Sequence, residues 1–379
     1  MRYRFAFVAM LGSTFLLACA NRSDDATGSD GAVQAEEMTA IAETDPEPDE
    51  SEDGIDGEPP LSIDENEGAD EASVDDPEMA SDGSQTDDDD TTAISTLDLG
   101  GKPTGASYMA VVEQKTNRIM VFPESDPTWT GRKPSWSWGA NNSPQIPSSQ
   151  RSRFDNPSDV KLKKNGTVLV AASGGGVAII RKSDRRATFV AYPGGNPHAI
   201  ETLPGGHLVT ASSEGFLCVY STRKGESRTC HRTNFAKAHG VVWDSARKRL
   251  WVVGGKQLGS YSLSGSTLKL DKAWKIPGNG HDLMPDGKDT LLFSSTHDVY
   301  SFDRVAHTYR AIAKIDPKNY IKGIDRHPRT KELVISRDHD LSDKVYGDPW
   351  VYRYTASGAR TVFSRKGAEF YKVRWWVAR

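Results

Sequence analysis

Short apolar stretches alternate with turns rich in Gly, Pro, Asp and Lys from residue 108 to the end of the chain. The pattern recurs about every forty residues, with stretches of strand length such as NPHAIET, HLVTASS and GFLCVYS. Four short strands in a period of about forty residues are typical of one blade of a β-propeller. The repeats begin at six aligned positions: Ser158, His198, His239, His281, Lys322 and Lys372.

The last repeat is incomplete, because only seven residues follow Lys372, the last of them Arg379. The strands that it lacks are present before the first repeat, as YMAVVEQ, NRIMVFP and PSWSWG in residues 108–139. Pairing of these strands with the last one would close the ring and remove its open sheet edges. The sequence therefore predicts an all-β, six-bladed β-propeller over 97–379, with the N-terminal strands completing the C-terminal blade.

The repeat resembles those of NHL-type and lyase-like propellers, and more closely those of a family of bacterial propeller proteins of unknown function. This resemblance covers about Ser107 to Arg379. It implies the fold and no activity, because one fold serves many functions.

The first 18 residues have the features of a signal peptide, with Arg2 and Arg4 before an apolar stretch too short to span a bilayer. The sequence LLAC that ends at Cys19 resembles the lipobox of bacterial lipoproteins. That resemblance implies cleavage before Cys19, attachment of acyl chains such as palmitate to it, and anchoring in the cell envelope. The residue after Cys19 is Ala20 and not Asp, which favours the outer membrane over the inner membrane. The alternative to a lipoprotein signal is an ordinary secretory signal in which Cys19 occurs by chance.

Residues 19–96 form a predicted disordered tether. Residues 23–92 carry 27 of the 52 acidic residues and no Lys or Arg, so they cannot bury enough apolar surface to fold. Of the 47 basic residues all but three follow this segment, so residues 93–379 contain 44 basic and 25 acidic residues. The folded domain is thus strongly basic, with a formal charge of about +19, and attracts polyanions. A solvated basic surface without a specific partner is the alternative.

Propeller geometry predicts that the six aligned residues form a ring at one mouth of the channel. Second strands return to the same mouth and add Arg337, and the loop that follows adds Asp338, His339, Asp340 and Asp343. This loop contains the extra residues of the longest repeat, and long loops on rigid scaffolds often carry function.

Three interpretations of the ring remain open. It is a polar lining, or an anion site in which Lys322, Lys372 and Arg337 bind a carboxylate or sulfate while the histidines donate hydrogen bonds. In the third interpretation His198, His239 and His281 hold a transition metal, which the two lysines disfavour by charge repulsion. No cofactor is predicted.

The anion site predicts a monomeric binding protein for an acidic glycan, lipopolysaccharide or acidic protein segment. The protein's own acidic tether is a competing internal ligand. A uronate lyase is the alternative function, with His239 or His281 as base and Lys322 and Arg337 as clamps. A protein-interaction scaffold of the cell envelope is a further alternative.

Cys218 and Cys230 occupy consecutive strand stretches around the turn STRKGES. A symmetric hairpin centred on Lys224 would place the two residues directly opposite each other, and an oxidising compartment permits a disulfide there. Two separate thiols are the alternative. The domain contains no GxSxG, Walker, HExxH or CxxC motif, so common hydrolase, nucleotide and zinc-finger functions lack support.

Overall fold

The computed structural model of the chain describes residues 33–34, 107–223, 226–227, 229–296, 298–312, 315, 320–338 and 346–379. The predicted signal peptide, Cys19 and nearly all of the tether lie outside these residues. Within the described ranges no helix is long and apolar enough to cross a membrane.

Strands make up nearly all of the regular structure. The first twelve are β1 (Val33–Gln34), β2 (Tyr108–Glu113), β3 (Arg118–Pro123), β4 (Trp136–Trp138), β5 (Pro157–Leu162), β6 (Thr167–Ala172), β7 (Val177–Arg181), β8 (Ala187–Ala191), β9 (Pro197–Leu203), β10 (His207–Ser212), β11 (Phe216–Ser221) and β12 (Glu226–Ser227). Two short 3₁₀ helices, Ala140–Asn142 and Ser148–Phe154, connect β4 to β5.

The remaining strands are β13 (His231–Asn234), β14 (Ala238–Asp244), β15 (Arg249–Ser264), β16 (Thr267–Pro285), β17 (Thr290–Ser295), β18 (Val299–Asp303), β19 (Thr308–Ala311), β20 (Ile321–Arg326), β21 (Leu333–Arg337), β22 (Trp350–Tyr354), β23 (Arg360–Ser364) and β24 (Phe370–Trp375). β15 and β16 are about three times as long as the others, and each spans two strand positions of the repeat.

Within the described residues the strands form five sheets, so the prediction of six blades is wrong in its count. Four sheets have the orders β24-β2-β3-β4, β12-β8-β7-β6-β5, β13-β11-β10-β9 and β20-β21-β22-β23, and the fifth runs β1-β19-β18-β17-β16-β15-β14. This seven-stranded sheet covers both repeats that open at His239 and His281. The two join where Gly255 of β15 pairs with Gly280 of β16, and a Cβ at Gly280 would collide with Cγ2 of Val253 in β15.

The ring closes as the sequence predicted. β24 pairs in antiparallel register with β2, for example Val373 with Val111, so the last strand of the chain is the innermost strand of the first sheet. The innermost strands β24, β5, β9, β14, the second half of β16, and β20 contact one another in cyclic order.

Aromatic packing fills the space between the first and last sheets. Trp129 is fully buried and stacks on Phe122 at 4.8 Å, and it also contacts Phe363 of β23 and Phe370 of β24. Trp375 is buried against His327, with ring centroids 5.0 Å apart. Burial of two such rings contributes several kcal/mol.

Buried carboxylates join neighbouring innermost strands near the axis. Asp159 of β5 accepts a hydrogen bond from the backbone N–H of Ile200 in β9, at 3.3 Å. Asp282 of β16 does the same with Ile324 in β20 at 2.8 Å. Asp325 of β20 accepts from the N–H of Trp375 in β24 at 2.9 Å. At three of the six contacts between neighbouring innermost strands, an acidic side chain thus accepts a hydrogen bond from the backbone of the next strand.

Cys218 and Cys230 form a disulfide, with Cα atoms 5.5 Å apart. The predicted register is wrong, because Cys218 lies opposite Arg232 and Cys230 precedes β13. The hairpin is asymmetric since part of its turn, β12, pairs in parallel with β8 of the neighbouring sheet. The disulfide therefore closes a loop that reaches from one sheet to the next.

Replacing Cys230 with serine should lower the free energy of unfolding by about 2–4 kcal/mol, because the unfolded chain regains the entropy of a loop closed by this bond. Urea denaturation of the oxidised parent and the variant measures the difference. The parent in excess reductant is the control and should match the variant. Equal stability of oxidised and reduced parent would contradict the prediction.

Candidate functional site

The structure brings together the three histidines that open successive repeats. His198 and His239 lie near the starts of β9 and β14, and their rings stack with centroids 4.4 Å apart. His281 of β16 meets the ring of His239 edge to face at 5.2 Å. We call these three residues the histidine cluster. It occupies the channel end at which the innermost strands begin.

The cluster is buried, with 5–6% of each residue exposed. Nδ1 of His198 and the hydroxyl of Tyr371 are 3.0 Å apart, and Nδ1 of His239 lies 2.8 Å from the carbonyl oxygen of Lys237. Nε2 of His198 is buried and has no hydrogen-bond partner among the described residues. Sequence reasoning missed Tyr371, although it directly precedes the aligned position Lys372.

Burial and positive charge keep His198 and His281 neutral. Desolvation lowers the pKa of His198 well below its usual value, and His239, Lys372, His281 and Lys322 add to the effect. The pKa of His281 is lowered in the same way, by burial first and then by Lys322. Positive charge is therefore concentrated at a place that also contains an unsatisfied polar nitrogen.

The two lysines of the ring have different surroundings. Lys372 is completely buried; its Nζ donates to the carbonyl oxygen of His198 at 2.8 Å and lies 3.5 Å from Asp282. Desolvation lowers the pKa of Lys372, while Asp282 opposes this shift. Lys322 is 3% exposed and lies over the ring of Tyr346 at 5.6 Å. Lys372 thus stabilises the backbone, and Lys322 faces the connection that follows β21.

Of the remaining predicted site residues, the structure describes Arg337 and Asp338. Arg337 is directed outward along its sheet, where it donates to the hydroxyl of Tyr352 at 3.0 Å and lies 3.5 Å from Asp348. Asp338 is buried, and its backbone N–H donates to the carbonyl oxygen of Tyr320. His339, Asp340 and Asp343 lie outside the described residues.

The histidine geometry does not suit a metal ion. In the described part of the chain no three His, Cys, Asp or Glu side chains are grouped so that they could hold one. Rings that stack or meet edge to face do not direct three nitrogens to one point, as tetrahedral ligation requires.

A layer of paired charges closes the channel beyond the histidine cluster. Arg374 donates to Asp282 at 2.6 and 2.8 Å and to Asp159 at 2.8 Å. All three residues are at most 3% exposed. Burial by itself lowers the pKa of Arg374, but the two carboxylates raise it, so the guanidinium stays charged.

A cavity of about 170 Å³ lies at the opposite end of the channel. Its lining includes one residue from each innermost strand, three positions after the aligned opening residue: Lys161, Glu201, Val242, Met284, Asp325 and Trp375. Lys161 and Lys163 pair with Glu201, and Arg379 pairs with Asp325. Sequence reasoning missed this cavity, although the repeat alignment that located the histidines also aligns its lining.

Acidification below about pH 6.5 should destabilise the domain. The unfolded chain protonates His198 and His281 near pH 6.5, whereas the folded state keeps both neutral to lower pH. The unfolded state then binds more protons, so stability is complete above pH 6.5 and falls as pH drops, by up to about 1.4 kcal/mol per pH unit for each histidine.

Urea unfolding at pH 7.5, 6.5 and 5.5 measures this slope in the parent and in a His198→Gln, His281→Gln variant. We expect the double variant to have the shallower slope. His207→Gln, at a half-buried histidine on the β9–β10 hairpin, is the control and should retain the parental slope. A parental curve as flat as that of the double variant would contradict the prediction.

The fold defines a β-propeller whose channel is filled by side chains and which presents a histidine cluster at one end. The chain belongs to a family of unknown function (DUF6528), whose model matches residues 78–379. No functionally curated protein matches the sequence.

The fold is similar to that of a crystallised protein of unknown function from Bacteroides caccae. The two are 12% identical with a TM-score of 0.52, and the match covers 72% of this chain and 99% of that one. Hydrazine synthase from Kuenenia stuttgartiensis is 11% identical over 55% of this chain and 65% of that one, with a TM-score of 0.42. The first similarity shows a shared fold; the second has no bearing on function.

Proposed function

We propose that this protein is an exported, lipid-anchored binding protein that holds an anionic group at the histidine cluster. The observation that carries the proposal is the buried Nε2 of His198, which has no partner among the described residues although Lys322 and Lys372 make its surroundings positive. When Tyr371 donates to Nδ1, the neutral ring carries its proton on Nε2, which then donates to an anion.

The group that binds there is small, because only a narrow edge of each histidine is exposed. A carboxylate, sulfate or phosphate at the end of a larger molecule satisfies this condition and offsets the local positive charge. An acidic glycan, lipopolysaccharide or acidic protein segment would supply such a group. The net charge of the domain would hasten its arrival at low salt.

The binding proposal is tested by calorimetric titration of the full chain in detergent with sodium glucuronate and sodium sulfate. Lys322→Gln removes a positive charge that acts on His198 and His281 and should weaken binding about tenfold. His198→Phe retains the stacked ring but removes the donor, and we expect a similar loss. Lys269→Gln, at an exposed lysine on β16, is the matched control. Unchanged affinity in both cluster variants would overturn the proposal.

A uronate lyase is the less favoured function. It requires Lys322 and Arg337 as cationic clamps beside His239 or His281, but Arg337 donates to the hydroxyl of Tyr352 in its own sheet. The same titration, repeated with a uronate polymer and followed by absorbance of unsaturated sugar ends, would reveal it. A protein scaffold predicts neither binding of these anions nor product.

The lipid anchor is proposed from the sequence at Cys19. Metabolic labelling with a palmitate analogue should mark the parent and not Cys19→Ser, and the label should fractionate with the outer membrane. Label on the serine variant would contradict this part of the proposal.

A further inference from the structure

A second cavity, of about 240 Å³, lies on the outer wall of the propeller between the first two sheets. Its lining contains no carboxylate and consists of Arg118, Ser137, Trp138, Gly139, Asn142 and Arg185. These residues come from β3, β4, the 3₁₀ turn that follows and the β7–β8 turn, so the cavity is distinct from the channel.

The lining is rich in hydrogen-bond donors. Arg118 donates to Ser137 Oγ at 3.1 Å, and among the described residues neither Arg118 nor Arg185 pairs with a carboxylate. The acid nearest in sequence to Arg185 is Asp184, whose carboxylate lies 2.8 Å from Arg181. Two arginines therefore line one cavity whose lining residues include no acid.

Local backbone geometry holds Arg118 against the cavity wall. A Cβ at Gly139 would lie 3.1 Å from the carbonyl oxygen of Asn117 and 3.4 Å from Cγ of Arg118. Glycine at this position thus lets the arginine side chain lie close along the loop. Trp138 beside it is 5% exposed, and its indole N–H is buried with no hydrogen-bond partner in the described part of the chain.

We propose that this cavity binds an oxyanion, that is a sulfate, phosphate or carboxylate group, through Arg118 and Arg185. Guanidinium groups match such anions in a bidentate manner, and two of them without an acidic neighbour favour an anion over a cation. The amide of Asn142 provides a further donor. The group arrives either as a free inorganic ion or as part of an acidic sugar.

Titration of the full chain with sodium sulfate, sodium phosphate and glucuronate tests this site. Arg185 has a positive φ of 63°, a conformation that asparagine tolerates, so Arg185→Asn removes the charge without backbone strain. Arg186→Asn removes an equal charge one residue later, outside the lining. We expect at least tenfold weaker binding in Arg185→Asn and less than a twofold change in Arg186→Asn.

Equal loss in the two variants would show general charge attraction and overturn the proposal, as would absence of a second binding event in the parent. A preference for glucuronate over the inorganic ions would identify the sugar as the source. The histidine-cluster variants should retain this binding event, so failure here and failure of the proposed function are distinguishable.

The pairing of β1 supports a second, independent inference. Val33–Gln34 of the acidic segment pairs in antiparallel register with the edge strand β19, with Val33 opposite Tyr309 and Gln34 opposite Thr308. An edge strand has unpaired backbone groups that accept a further strand. The β8 edge is covered in the same way by β12, so added strands are a recurring feature of this propeller.

We infer that the tether docks on β19 and thereby sets the distance between propeller and membrane. This inference rests on the proposed lipid anchor at Cys19. With β1 docked, 14 residues separate the anchor from the domain and reach at most about 50 Å. With β1 released, the 88 residues before Ser107 reach up to about 300 Å when extended. The edge strand thus selects between a short and a long tether.

Cysteine cross-linking of the full chain tests the docking. Gln34→Cys with Thr308→Cys should form a disulfide under mild oxidation, because the two positions are direct partners. Gln34→Cys with Thr361→Cys on β23 is the control and should give less than a tenth of the product. Equal yields in the two pairs would overturn the docking. A cross-link in Cys19→Ser as well would show that docking does not depend on the anchor.

Discussion

Replacing Arg374 with glutamine should lower the free energy of unfolding by about 3–5 kcal/mol, the largest effect expected of any single charge in the protein. Its guanidinium bridges Asp282 and Asp159 inside the channel. The variant would leave the buried carboxylate of Asp159 with Lys161 at 3.8 Å and that of Asp282 with Lys372 at 3.5 Å, both more distant than the guanidinium. Lys372, 3.5 Å from Asp282, compensates only in part because it also serves two backbone carbonyls. Urea denaturation at pH 7.5 measures the loss.

Two further variants make this prediction specific. Arg132→Gln breaks an ion pair between half-exposed side chains and should cost less than about 1 kcal/mol. Adding Asp159→Asn and Asp282→Asn to Arg374→Gln removes the uncompensated charge while keeping acceptors for the backbone N–H groups. This triple variant should recover more than half of the lost stability. A loss of under 1 kcal/mol in Arg374→Gln would show that the channel charges do not hold the ring together.

Replacing Trp375 with alanine should lower the free energy of unfolding by about 3–5 kcal/mol. The ring is 2% exposed and contacts His327, and its indole N–H donates to the carbonyl oxygen of Glu332 at 3.1 Å. It lies on β24, the strand that closes the ring, so the cavity left behind would weaken the contact between the first sheet and the sheet of β20 to β23. Thermal and urea denaturation both measure this change.

Trp376 is the matched control, because it is adjacent in sequence and faces the other side of the strand. It is only half-buried, against Trp136 with centroids 5.3 Å apart and below Lys182. Trp376→Ala should cost about a third as much as Trp375→Ala, since less apolar surface is removed from contact. Equal losses would contradict the prediction, because the side of β24 that carries Trp375 would then contribute no more stability than the side that carries Trp376.

The repeat made the fold predictable, and it also led to the wrong number of sheets. Periodic apolar strands located the innermost strands and the closing pair β24–β2 correctly. Separation of the repeats that open at His239 and His281 failed because β15 and β16 still pair at Gly255 and Gly280, which joins the two repeats in one sheet. A pattern of side chains does not show whether backbone pairing continues through a glycine.

The candidate site was likewise predictable from the sequence only in part. Alignment of the repeats predicted that His198, His239 and His281 share one end of the channel, because residues at equivalent repeat positions face the same axis. It did not show that their rings stack, that Tyr371 contacts His198, or that Arg337 is directed away to Tyr352. Side-chain rotamers and neighbours in adjacent sheets decide these contacts, and the spacing of residues along the sequence contains no information about either.

The sequence alone determined the all-β repeat, the order in which strands meet and the charge contrast between tether and domain. Each of these follows from local composition and periodicity, which the chain carries in one dimension. Tertiary structure decided the burial of the histidines, the bridging of Asp159 and Asp282 by Arg374, and the arginine-lined cavity on the outer wall. Those features join residues up to 215 positions apart, and only the packing of side chains in three dimensions brings them within hydrogen-bonding distance.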